Sequence, residues 1–558
     1  MTLRPEPETH GDRVAQFVFN ACPDHQVRGR PAHTIAWHTA ERLLRRHPEL
    51  ARTSFHAAVV CGDLAEVERV LAERPAAAIE KCGPKNWEPL LYLCFTRLGL
   101  TAANEHALAI ARTLLDRGAD PNVYFMAGDS RYTPLVGAIG MGEEARPPHA
   151  QAAPLARLLL EHGADPYDLQ VIYNIAMSRT DVRWVLELLH THCIRTGREA
   201  DWNDPEWRMF DMGDYGSGAR WLLGHAVAED DLALAEWLLV HGASPNAAPP
   251  ADPRWRNRSL HEEALCGNST EMAELLARFG ATVSHLERTG IDAFASACLR
   301  MDVALVQTLA AAHPEYLRSP MALFAAAKHD RADVLALLQE LGASSEVEDA
   351  QHQRALHVAA YAGALRAAGL LIEHGAEPDP RESRWGATPL GFAAHAMIQP
   401  MIDLLSTVSR DVFELTFAGK VERVREVLAA EPALARTIHP DGETPLMRLP
   451  NDEVAALALA RLLLAHGADP AQRDSRGPTA ADMAARRGLE AVAALLRERS
   501  AERDEQARRA IGQARAPSES RQQAAFRRQH PVHLARGPHP QRRTGHHVAG
   551  PVLVVADA

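Results

Sequence analysis

The sequence is poor in aromatic residues, which make up 5% of its 558 positions. Sheets draw heavily on aromatic and β-branched side chains, so the scarcity argues against a β-rich fold. The seven cysteines, Cys22, Cys61, Cys82, Cys94, Cys193, Cys266 and Cys298, form no C-x-x-C pair. Scattered thiols of odd number suit a reducing compartment, not a disulfide framework or a zinc cluster. No apolar run approaches the length of a bilayer span, and "AALALARLLLAHGA" carries Arg461. The start, "MTLRPEPETHGDRV", has no apolar h-region, so no signal peptide is expected. Phosphate-loop, dinucleotide, metalloprotease and nucleophile-elbow patterns are all missing. The expectation is a cytoplasmic protein that is not an enzyme, with no catalytic residue, no metal and no cofactor.

Charge is unevenly spread. The chain carries −12 overall, yet from Gln506 onward nine arginines face only Glu519 and Asp557, leaving −19 on residues 1–505. An acidic body matches nucleic acid or an anionic membrane poorly, so no membrane partner is expected and nucleic acid only through the basic end.

What the chain does have is a phrase that returns. "LLDRGADPN" (114–122) reappears as "LLLEHGADP", "LLVHGASPN", "LLIEHGAEP" and "LLLAHGADP". Gly342 and Gly375 stand 33 residues apart, and other intervals between these glycines approach multiples of that step. A second phrase precedes the first, as "YTPLVGAI", "ALHVAAYAG", "ATPLGFAAH" and "ETPLMRL". Thr133, Thr388 and Thr444 stand where a hydroxyl can cap free N–H groups, and Pro134, Pro389 and Pro445 follow at a first helical position. Alanine pairs such as Ala359-Ala360 allow close helix approach, and a glycine then ends the short helix. The next helix carries apolar residues at three- and four-residue spacing and closes on "HGA". Each unit is thus predicted to be helix, turn, helix and projecting turn.

Taken together, these phrases resemble the ankyrin repeat family. The best match is "DSRGPTAADMAARRGLEAVAALLRE" (474–498), with Asp474, Gly477, Thr479, Ala484, Ala485 and Gly488 in register, and it reads as a C-terminal capping unit. The resemblance implies an all-α solenoid of stacked helix-turn-helix units with short projecting turns. About thirteen units are expected over residues 53–500. Residues 1–52 are expected to form a helical cap or degenerate repeat, and 501–558 a basic disordered tail. The Ala/Arg-rich composition suggests a large bacterial member of the family.

The family's pattern implies a protein-binding scaffold or adaptor, monomeric, with its partner on the concave face. The partner-binding residues implied are Trp87, Tyr132, Trp255, Arg384 and Trp385 on projecting turns and Tyr361 on a first helix; Lys85 shares the turn of Trp87. Aromatics and arginine are the usual interface anchors. The alternatives are a regulatory or enzymatic site in an insertion near 198–221, or nucleic-acid contact through the tail. That insertion is both aromatic and acidic, and it reads chiefly as a packed inter-repeat loop. His190, His192 and Cys193 read as a helix end, and His261 and His357 as backbone-bonding structural residues. Glu263 stands where alanine is usual, and Pro450 falls inside an expected first helix.

Overall fold

The structure, a computed structural model, describes residues 9–27, 30–142, 145–178, 180–250, 258–267, 269–284, 289–440 and 442–526. The chain divides into two compact units, Met1–Arg497 and Glu498–Ala558. Among the described residues the secondary structure is almost wholly helical, apart from one hairpin that pairs Phe125–Ala127 with Ser130–Tyr132. None of these helices is long and apolar enough to cross a membrane.

In the first unit, helix pairs follow one another from Phe55–Cys61 with Leu64–Glu73 to Ala480–Arg486 with the helix starting at Glu490. The local rules hold at most starts. Thr133 Oγ1 accepts the Val136 N–H and Thr388 Oγ1 the Gly391 N–H, each at 3.3 Å. Thr479 adds a capping box with Asp482. Helix ends close as expected too: Gly375 takes φ 82°, and the Ala376 N–H reaches back to the Leu371 carbonyl at 2.9 Å. Asparagines of the "PN" pair then tie successive turns. Asn122 Nδ2 donates to the Gly163 carbonyl at 2.9 Å while its Oδ1 accepts the Asp165 N–H at 2.8 Å. Asn246 repeats this with Gly280 and Thr282.

First helices pack on first helices, and the alanine pairs make this close: Ala359, Ala360 and Ala393 have no exposed surface. Two apolar cores run through the stack, one from Phe17 to Ala281 and one from Phe294 to Leu496.

Thr444 is the exception among the caps. Its hydroxyl is buried and makes no hydrogen bond, because only a 3₁₀ turn, Pro445–Met447, forms before Pro450. Glu263 pairs with Arg220 at 2.6 Å.

The N-terminal segment forms helices His10–Ala21 and Arg30–Arg46, which pack on each other and on the first pair. Their other side meets the far end of the same unit. Arg42 Nε donates to the Arg487 carbonyl at 2.9 Å, and its two Nη groups reach the carbonyl and side-chain oxygen of Asn451 at 3.1 and 2.6 Å. Gln16 Nε2 donates to the Arg486 carbonyl at 3.3 Å, and Arg46 pairs with Glu490.

The expected disorder from residue 501 is not what the structure has up to Phe526, since one helix runs Glu490–Phe526. Its Ala, Glu, Arg and Gln content is strongly helix-forming, and pairs such as Arg499–Glu502 support it. The rest of the expected tail, 527–558, lies outside the described residues.

Candidate functional site

Three of the implied partner-binding residues come together. Helix Ala355–Ala362 carries Tyr361, helix Pro389–Ala396 carries Phe392, and the turn between the two helix pairs carries Arg384 and Trp385. Trp385 and Tyr361 both stand edge-on to Phe392, at 5.9 and 6.0 Å between ring centroids. The Arg384 guanidinium lies 4.5 Å over the Trp385 ring. Trp385 is 63% exposed and Tyr361 44%, whereas Phe392 is buried as the floor between them.

A buried carboxylate fixes this turn. Glu382 accepts the N–H groups of Arg384 at 2.6 Å, Trp385 at 2.7 Å and Ala387 at 3.2 Å. Burial pushes the Glu382 carboxyl up, but the three N–H donors and the nearby His357 outweigh it and hold the group below the usual glutamate range. His357 is itself buried; burial lowers its pKa, and its Nε2 lies 3.1 Å from the Pro380 carbonyl. The Ser383 N–H and hydroxyl both donate to the Gln351 carbonyl, at 2.8 and 3.1 Å, joining this turn to the preceding one.

The other implied residues lie elsewhere. Trp87 and Tyr132 belong to the core and not to an exposed turn, with 6% and 5% exposure. Phe125 stands between them, stacked at 4.4 Å on Trp87 and 5.2 Å on Tyr132. The hairpin at Phe125–Ala127 and Ser130–Tyr132 folds that ring over the turn, so burial of three rings outweighs leaving them in water. Lys85 is buried in the same region, paired with Asp24 at 2.6 Å and 4.8 Å from the Trp87 ring. Trp255 lies outside the described residues.

A groove of about 1240 Å³ runs along other first helices. Tyr173, Tyr215, Trp221, His225 and Met321 line it. Trp221 stacks on Tyr173 at 5.4 Å, and the Arg220–Glu263 pair stands in its wall. The end of helix Pro320–Lys328 meets helix Gly218–Glu229 across it, where Lys328 Nζ donates to the Ala228 carbonyl at 3.2 Å.

In the insertion, Trp202, Trp207 and Phe210 are buried against one another, with the first two edge-on at 4.9 Å. Asp204 accepts the N–H groups of Glu206 and Arg208, both at 3.1 Å, so this acid is engaged in turn capping. His190 stands edge-on to Trp202 and His241, at 4.9 Å from each, within helix Arg183–Arg195.

Residues 356–396 match the family model described as ankyrin repeats in many copies. The matched ankyrin segment runs from within the helix of Tyr361 to the helix of Phe392 and includes the Glu382 turn. No curated protein matches the chain.

Sequence reasoning missed Glu382, Phe392 and Phe125. Phe392 sits one residue before an alanine pair and reads as core, which it is. Glu382 was legible only through turn length, because it stands one residue farther from its Thr-Pro than Asp474 stands from Thr479.

Proposed function

We propose that this chain is an ankyrin solenoid that serves as a scaffold or adaptor and binds a protein along its first-helix face and projecting turns. Ankyrin repeats generally mediate protein–protein interaction, and the match at 356–396 supports that reading. The observation that carries it is the exposed Tyr361–Trp385 pair with Arg384. Two large rings on a fixed backbone leave much of their surface in water, 63% for Trp385 and 44% for Tyr361, and rigid aromatics and arginine dominate protein interfaces. In this reading the protein is a cytoplasmic monomer and not an enzyme; the seven free cysteines agree with a reducing compartment.

The test is site-specific photo-crosslinking in native lysate, with the crosslinker placed at Tyr361 or Trp385. A control crosslinker goes at Val454, which is 79% exposed on a second helix. A discrete adduct from the first two positions and none from the third supports the reading. Equal labelling at all three, or none at any, overturns it.

A further inference from the structure

The turn that carries Arg384 and Trp385 is longer than two of its counterparts and shares its length with the turn in which the Cys82 N–H donates to the Trp87 carbonyl at 2.9 Å, just before Glu88-Pro89. In the last unit the Asp474 N–H donates to the Pro478 carbonyl at 3.1 Å, just before Thr479. In the unit before this site the Asp349 N–H donates to the Gln353 carbonyl at 3.0 Å, just before Arg354. Here the Glu382 N–H donates to the Ala387 carbonyl at 3.2 Å, just before Thr388, so the turn holds one more residue. The aspartates cap their short turns, Asp474 accepting from Arg476 and Asp349 from Gln351 and Gln353, each at 2.9 Å. The longer side chain of Glu382 spans the enlarged turn and takes three N–H groups instead. Arg384 and Trp385 are exposed on this turn, Trp385 to 63%, and the buried carboxylate accepts the backbone N–H groups of both.

Charge at this face is specific. Glu346, Glu348 and Glu377 converge on Arg354. Asp411 pairs with Arg381, and Asp379 accepts the Ser409 hydroxyl at 2.6 Å and the Arg410 N–H at 2.7 Å. Glu382 is occupied by backbone. Among the described residues no carboxylate lies within ion-pairing distance of Arg384, whose guanidinium rests on the Trp385 ring. A guanidinium stacked on an indole keeps its in-plane N–H edge for a planar acceptor, with side-chain entropy already reduced. Beside that edge, Trp385, Phe392 and Tyr361 form an apolar step.

We propose that this face receives an extended segment of a partner protein that sets an Asp or Glu carboxylate on Arg384 and an adjacent aliphatic or aromatic side chain on the Trp385–Phe392–Tyr361 step. The inference rests on the protein-binding reading above and adds the chemistry of the partner. It runs against the basic partner that the −19 charge of residues 1–505 would favour. Long-range charge steers encounter, but the contact itself is decided by the guanidinium stacked on Trp385 and its neighbours.

The test pans phage-displayed random dodecapeptides on the full-length chain, then measures dissociation constants of the selected peptides as synthetic probes. Variants are R384A, R384Q, W385A and Y361A, all changes at exposed side chains. The expected selection is rich in Asp or Glu next to an aliphatic or aromatic residue. R384A and the peptide's acid-to-amide change should each weaken binding about tenfold or more, and together no further than either alone. R384Q, which preserves a planar group without the charge, should behave as R384A does. Basic or neutral selected peptides, or peptides weakened by W385A and Y361A but untouched by R384A and R384Q, overturn the acidic-partner inference and leave the protein-binding reading standing. No enrichment, or peptides insensitive to all four variants, overturns both.

Discussion

Glu382 Oε1 accepts the Trp385 N–H at 2.7 Å, so a carboxylate with 1% exposure positions the most conspicuous surface ring of the site. Replacing it by alanine strands three backbone donors in a partly buried turn. Glu382→Ala should cost about 1–3 kcal/mol. It should also accelerate hydrogen exchange at residues 384–387 beyond the rest of the chain. Glu382→Asp should fall between the two, because a shorter side chain does not span the longer turn. Unchanged exchange there in the alanine variant would show that the carboxylate does not hold the turn.

Trp87 and Trp385 are both turn tryptophans, with opposite roles. Trp87→Ala removes a ring stacked against Phe125 and should cost about 3–5 kcal/mol. Trp385→Ala should stay within about 0.5 kcal/mol. Urea denaturation of the two variants measures both. Equal losses would contradict the burial assignment.

Arg220, 5% exposed, is tied to Glu263. Glu263→Ala leaves the guanidinium buried without its charge partner and should cost up to about 3 kcal/mol. The paired change Arg220→Met with Glu263→Leu should recover most of that. Denaturation midpoints of the single and double variants decide it, and a double variant worse than the single would reject the pairing.

His56 and His149 are neutral in the fold. Burial pushes His56 down to about 4 and His149 down to about 3, and His149 Nδ1 accepts the Gln151 N–H at 3.0 Å. Unfolded imidazoles titrate near about 6.5. The folded values lie below the unfolded ones, so this stability is complete above about pH 6.5 and is lost as pH falls through about 4 and then 3. The urea midpoint should drop between pH 7 and pH 4.5, and the drop should be shallower in the double variant His56→Gln, His149→Gln. An identical slope in wild type and variant would assign the loss to other groups.

Arg42 joins the N-terminal helices to the carbonyls of Asn451 and Arg487. Arg42→Ala should destabilise the chain by about 2 kcal/mol. Faster exchange at the Arg487 and Gly488 amides, far along the sequence, should accompany it. Exchange enhanced only near residue 42 would mean the two ends are not coupled.

The repeated phrases made much of the local structure readable. A threonine hydroxyl, a proline ring and a glycine at the end of a helix act within a few residues, so Thr388, Pro389 and Gly375 declare themselves in any context. Thr444 shows the limit, since its cap depends on a helix that Pro450 cuts short. The Arg384–Trp385 turn was visible as an aromatic, cationic pair on a projecting turn before a Thr-Pro, and Tyr361 as a large ring in a first helix.

Exposure was another matter. Trp87 directly precedes the Glu88-Pro89 helix start, as Tyr132 precedes Thr133, whereas Trp385 stands three residues before Thr388; that offset by itself does not say which ring is covered. Trp87 is covered because Phe125, from a later hairpin, folds onto it, while Trp385 is left 63% exposed among the described residues. The N-terminal helices likewise give no local sign of meeting Asn451 and Arg487. The sequence by itself determined the helices, caps and closing turns, whose energetics are local. Only the tertiary structure decided which rings are core and which face a partner, because burial depends on residues distant in sequence.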